Sequence, residues 1–132
     1  MLVVDASSLC EVLIGGPSAE AIRERLAQDN DHAAPHIVDA EVFGVLRREH
    51  QQGRLDRTEA TQAVEDLAAW PGEQFGHRLL LARAWELRHT VRGWDAMYVA
   101  LAEALDAILL STDRRLATAT GPTCRIEAID PQ

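Results

Sequence analysis

Apolar positions follow two rhythms along this chain, and each change of rhythm marks an element. The runs Leu2 to Val4 and Ala107 to Leu110 are too short for buried helices and suit strands covered on both faces of a parallel sheet. After Ala6-Ser7-Ser8, the spacing of Leu9, Val12 and Leu13 predicts a helix that Gly15-Gly16-Pro17 breaks. Ile22 and Leu26 then repeat at helical spacing in a second helix, with Pro17 in its first turn. His32 to Ile37 predicts a second strand, and Asp39 the cap of a helix running to about Gln52 and closed by Gly53. Glu41 then falls in the first turn, on the side shared by Val45 and Arg48 and beside the apolar row of Val42, Val45 and Leu46.

Asp56 with Glu59 three residues later has the form of a capping box, opening a helix that ends at Trp70-Pro71-Gly72. Glu73 to His77 predicts a short strand, and Leu80, Leu81, Ala84, Trp85 and Leu87 outline an amphipathic helix ending near Thr90. From Ala96 to Leu105 the chain is apolar on nearly every face, the mark of a helix in the middle of a domain, and Asp95 stands at its start. The run to Leu110 ends in a further acid, Asp113, before another helix; Gly121-Pro122 makes a turn, and Cys124 to Ile129 alternates as a last strand. Strands alternating with helices predict an α/β fold. The arrangement expected is a three-layer α/β/α domain over residues 1–132 with a central parallel sheet of about four to five short strands.

Composition narrows the chemistry. A formal net charge of -8 argues against a broad electrostatic grip on phosphate backbones, so any nucleic acid is held locally. All 13 lysine-or-arginine positions are arginine, which excludes every chemistry that needs a lysine amine. Cys10 and Cys124 have no second ligand at metal spacing and read as reduced thiols. With no charged and apolar leader at Met1 and no stretch of membrane-spanning length, a soluble cytoplasmic protein is expected. The histidines lack ligand spacing. Aromatic residues are only 5%, so Trp70, Trp85, Trp94 and Tyr98 read as packing or interface anchors rather than base-stacking platforms.

Four acids remain. Asp5, Asp95 and Asp113 follow strands or begin helices, Glu41 lies early in one, and a parallel sheet gathers such positions at its carboxyl edge. Negative charges sharing a small space raise one another's pKa and call for a cation. Oxygen ligation without histidine or thiolate is the preference of Mg2+ or Mn2+, and the implied chemistry is metal-assisted hydrolysis of a phosphodiester. Ser7 and Ser111, two residues from Asp5 and Asp113, are placed to orient a carboxylate or water; Arg92, Arg114 and Arg115 are candidate phosphate contacts. Aspartate is also among the best helix caps, so capping alone accounts for each of the three taken singly.

Four motifs in order resemble a PIN domain, and within it the VapC-type toxin ribonucleases: Val3-Val4-Asp5-Ala6-Ser7; Asp39-Ala40-Glu41-Val42 with Leu46-Arg47-Arg48; Trp94-Asp95-Ala96-Met97-Tyr98 through Glu103; and Leu110-Ser111-Thr112-Asp113-Arg114-Arg115-Leu116. The resemblance spans essentially the whole chain, and its acidic site maps onto Asp5, Glu41, Asp95 and Asp113. Ser111 stands where the family usually has threonine, and Trp94 where tyrosine or another residue often precedes the third acid. The resemblance implies a divalent-metal-dependent endoribonuclease, a homodimer, neutralised by a small VapB-like antitoxin. Two other readings share parts of the pattern. A receiver-type signalling domain also has an acidic Mg2+ pocket but needs a lysine, and a PIN-like binding module without activity would not need all four acids.

Overall fold

A computed structural model describes residues 1–129. Its strands and helices are β1 (Leu2–Val4), α1 (Ala6–Ile14), α2 (Ala19–Ala27), β2 (His32–Pro35), α3 (Ile37–Gln51), α4 (Arg57–Ala68), β3 (Glu73–Phe75), α5 (Leu81–Glu86), α6 (Asp95–Ala104), β4 (Ile108–Ser111), α7 (Arg114–Ala117) and β5 (Ile126–Ala128). A 3-10 turn, Arg78–Leu80, leads into α5. The five strands form one parallel sheet in the order β3-β2-β1-β4-β5. The chain builds outward from β1 to β3, then returns across the sheet to lay β4 on the other side of β1. That reversal opens a crevice between the carboxyl ends of β1 and β4.

Leu2, Val3 and Val4 are all fully buried, as a central strand covered on both faces requires. On one side α6 packs on β1, β2 and β4 with α5 outside it; α1, α2, α3 and α4 pack on one another, with α1 also against β4 and α3 against β2. The near-continuous apolar character of α6 is explained by its position: Tyr98, Val99, Ala100, Leu101 and Ala102 are all buried. At roughly 25 cal/mol per Å2, each large side chain so buried contributes about 1.5–3 kcal/mol against the entropy of ordering the chain.

Several boundaries differ from the sequence expectation. The helix α3 starts at Ile37, because Ile37 N–H donates to His77 Nε2 at 3.0 Å and His36 N–H to Phe75 O at 2.8 Å. A distant histidine thus does the work assigned to Asp39, which lies within the first turn and accepts from Gln74 Nε2. Consequently Glu41 is in the second turn of α3, not the first, and β2 and β3 stop short of Ile37 and His77. Pro17 precedes α2 rather than opening it, since Ser18 N–H is taken by Glu11 Oε2 at 2.9 Å. That carboxylate fills the space beside Gly16 that a Cβ would occupy. Along 80–87 only one row points inward: Leu80, Ala84 and Leu87 are buried, whereas Leu81 and Trp85 occupy the adjacent row and are exposed. The helix α5 ends at Glu86, short of Thr90. The strand β4 is one residue later than expected, and β5 covers only Ile126–Ala128 of the 124–129 run. The capping box at Asp56 and Glu59 is present as predicted, and both cysteines are free thiols.

Candidate active site

The crevice at the switch point is an open cleft of about 770 Å3, and Asp5, Glu41, Asp95 and Asp113 all line it. Asp5 comes directly from the end of β1. Its carboxylate is 5% exposed and does two jobs: Oδ1 accepts the Ser8 N–H at 2.9 Å, capping α1, and the Ser7 hydroxyl at 2.7 Å. Its backbone N–H donates to Leu110 O on β4, and the buried Ser8 hydroxyl donates to the same carbonyl, locking the two strand ends together. Burial pushes the Asp5 carboxyl above its ordinary range, while the hydroxyls of Ser111 and Ser7 pull the other way.

Glu41 reaches in from α3. Its Oε1 accepts the Tyr98 hydroxyl at 2.7 Å, a contact between α3 and α6 made by a tyrosine that is only 1% exposed. Partial burial raises the Glu41 carboxyl, opposed by the Tyr98 hydrogen bond and reinforced by the charge on Asp5. Asp95 is the first residue of α6, whose cap position is Trp94 without a side-chain hydrogen bond. Its carboxyl is pushed up to about 6, first by burial and then by the charges of Asp5, Glu41 and Asp113, with Arg92 opposing. Asp113 caps α7 through the Arg115 N–H at 2.9 Å and meets the Arg115 side chain at 3.5 Å. Capping therefore explains part of Asp5 and Asp113 and none of Asp95.

The two serines occupy linking positions. Ser7 Oγ donates to Asp5 and accepts the Thr112 N–H at 3.2 Å, and the buried Ser111 Oγ accepts the Asp113 N–H at 3.0 Å. Of the predicted arginines, Arg92 and Arg115 border a small crevice beside the cleft together with Asp95 and Asp113; Arg114 is on the exposed surface of α7. The cation in the cleft lining itself is Arg48, two turns along α3 from Glu41. Helical spacing from Glu41 already placed Arg48 on that side, and this was the available signal for it. Tyr98 was legible only as a core aromatic, since no pattern in the sequence pairs it with Glu41.

The donors facing the cleft are all oxygens, the set that suits Mg2+ or Mn2+. As the side chains are placed, no three His, Cys, Asp or Glu residues among those described converge closely enough to hold one ion. The donor set fits in kind; a bound cation requires the carboxylates to draw together from the positions seen. Their mutual repulsion, evident at Asp95, is the force such a cation would relieve.

An acidic crevice at the turning point of a short parallel sheet defines a class of small α/β domain, and the comparisons name it. The PIN domain profile matches residues 2–121, and the chain belongs to that family, among its VapC proteins. It is 42% identical over 119 residues to Ribonuclease VapC3 of Mycobacterium tuberculosis, covering 89% of this chain and 86% of that one. To Ribonuclease VapC1 of the same organism it is 37% identical over 128 residues, covering 96% of each. The fold is similar to that in the crystal structure of VapBC2 from Rickettsia felis bound to a promoter DNA fragment, with a TM-score of 0.69 at 20% identity over 98% of this chain and 100% of that one.

Proposed function

We propose that this chain is the toxin of a toxin–antitoxin pair, an endoribonuclease that hydrolyses RNA phosphodiester bonds with Mg2+ or Mn2+ held by Asp5, Glu41, Asp95 and Asp113. The observation that carries the reading is the meeting of these four acids, from four separate stretches of chain, in one cleft where Asp95 is raised to about 6 by burial and by the other three. Relatives named as VapC ribonucleases over nearly the full length support the activity. The cation, when bound, supplies charge stabilisation on the phosphate and a more acidic water. Asp5, held by Ser7 and the Ser8 N–H, supplies a fixed oxygen at the cleft floor. Tyr98 aims Glu41 across from it, and Ser111 holds the loop that carries Asp113. Arg48 offers the one guanidinium in the cleft lining for a neighbouring phosphate.

The acidic charge of -8 suits a basic antitoxin segment that covers the cleft, and the antitoxin and a homodimer are part of this reading. No helix among the described residues is long and apolar enough to cross a membrane. The test is a transcriptome-wide map of new RNA 5′ ends shortly after inducing the chain without its antitoxin, beside Asp95→Asn. New ends at a few sites with the wild type alone are expected. The same new ends with Asp95→Asn would remove the acids from the mechanism, and no new ends with either would favour a PIN-like module without activity.

A further inference from the structure

We propose that Trp94 is the base-stacking platform of the cleft, holding the base next to the bond to be cut. This rests on the ribonuclease reading above. Trp94 and Tyr98 are the aromatic residues of the cleft lining. Tyr98 is buried and committed to Glu41, whereas Trp94 is 59% exposed and leaves much of its ring open to the cleft. Its place is one residue before Asp95, so a nucleotide whose phosphate lies at the acids brings an adjoining base to the indole.

The backbone beneath the ring is hydrogen-bonded on both sides of it. The Arg92-Gly93-Trp94 turn is closed by Asp95 N–H to Arg92 O at 3.1 Å, with Gly93 at φ 47°, and Met97 N–H to Trp94 O at 2.9 Å begins the helix. Electrostatics make a neutral contact necessary. The lining contains Asp5, Glu11, Glu41, Glu49, Asp95 and Asp113 against Arg48, so the cleft repels phosphates except at a bound cation and one guanidinium. An aromatic face attracts any base without regard to charge, but only if that base is free of a duplex. The low aromatic content of the chain therefore does not exclude stacking, because a single exposed indole in the cleft is enough.

The test uses a 12-nucleotide single-stranded RNA carrying one 2-aminopurine, and the same strand annealed to its complement, against the non-cleaving Asp95→Asn protein, with Mg2+ raised far enough to offset that variant's weaker metal binding. Single strand is expected to bind with 2-aminopurine quenching. Adding Trp94→Ala should weaken binding on the order of tenfold and abolish the quench, Trp94→Phe should restore much of both, and the duplex should bind poorly. In the otherwise wild-type enzyme the Trp94→Ala loss should fall on KM rather than kcat. Unchanged affinity and KM in Trp94→Ala, or equal binding of duplex, would overturn the proposal while leaving the ribonuclease reading intact. Unchanged RNA binding with a lost subunit or antitoxin contact would assign the indole to a protein partner instead. Failure of the wild type to cut any RNA would remove both readings.

Discussion

The two ends of α6 carry one acid each, and the pair behaves in the opposite way to what a helix alone dictates. Asp95, the first residue, has the favourable end of the helix dipole, and Glu103, the next-to-last residue, the unfavourable one. Yet Asp95 is pushed up to about 6 while Glu103 is held below its ordinary value. Burial works against both. At Glu103 it is outweighed by Arg83, whose Nε donates at 2.6 Å, and by the Thr123 N–H at 2.8 Å. At Asp95 it is joined by three other acids and opposed only by Arg92. The same pairing of acid with arginine recurs at Arg25–Glu127. Arg25 and Arg83 pair with acids that hold elements together, whereas at Asp95 the charges of three other acids outnumber that of Arg92. The difference marks Glu103 as structural and supports the metal-binding role proposed for Asp95.

That contrast can be broken from either side. The largest stability effect belongs to Glu103→Ala, which strips partners from Arg83 and the Thr123 N–H and should cost about 1–3 kcal/mol, a fall of several degrees in Tm. RNA cleavage per folded molecule should stay within a small factor of wild type, and its loss would show that the two ends of the helix are not separable. Calorimetric melts of both proteins check the first part, and an oligonucleotide cleavage assay the second.

A smaller effect, of opposite sign, is expected at Asp95 in protein stripped of metal by a chelator. Its folded pKa, about 6, lies above the ordinary 3.8, so the proton binds the folded form more tightly. The associated stability is complete below about 3.8 and is lost as pH rises through about 6. Discounted for partial exposure, the difference between pH 5 and pH 7.5 is about 1 kcal/mol. Subtracting the melting curve of Asp95→Asn from that of wild type across this range should show it. A flat difference, or a wild type that gains stability on the variant as pH rises, would mean that burial and like charges do not act on Asp95 in the cleft.

The alternation of short apolar runs with helical spacing made the order of strands and helices readable, because a strand buried on both faces must be apolar throughout. The cleft was readable for a related reason, since the ends of parallel strands lead to one edge and the acids sat at those ends. What escaped was everything set by distant partners. His77 starts α3 from 40 residues away, which moved Glu41 into the second turn, and the Tyr98–Glu41 bond spans 57 residues. Side-chain rows one step apart on a helix were also ambiguous: Leu81 and Trp85 shared the apolar spacing of Leu80 and Ala84 but face outward. Composition did not locate Trp94, because a count of aromatics says nothing of where one ring stands, and the ring lies exposed in the cleft lining.

The most direct measurement is a calorimetric titration of Mn2+ into wild type, Asp95→Asn and Glu103→Gln at pH 6, repeated in two buffers of different ionisation enthalpy. Wild type and Glu103→Gln should bind alike and release protons as the raised carboxyls ionise, and Asp95→Asn should bind at least about tenfold more weakly with less proton release. Equal Mn2+ binding by Asp95→Asn and wild type would contradict the assignment of the cleft acids as the metal site.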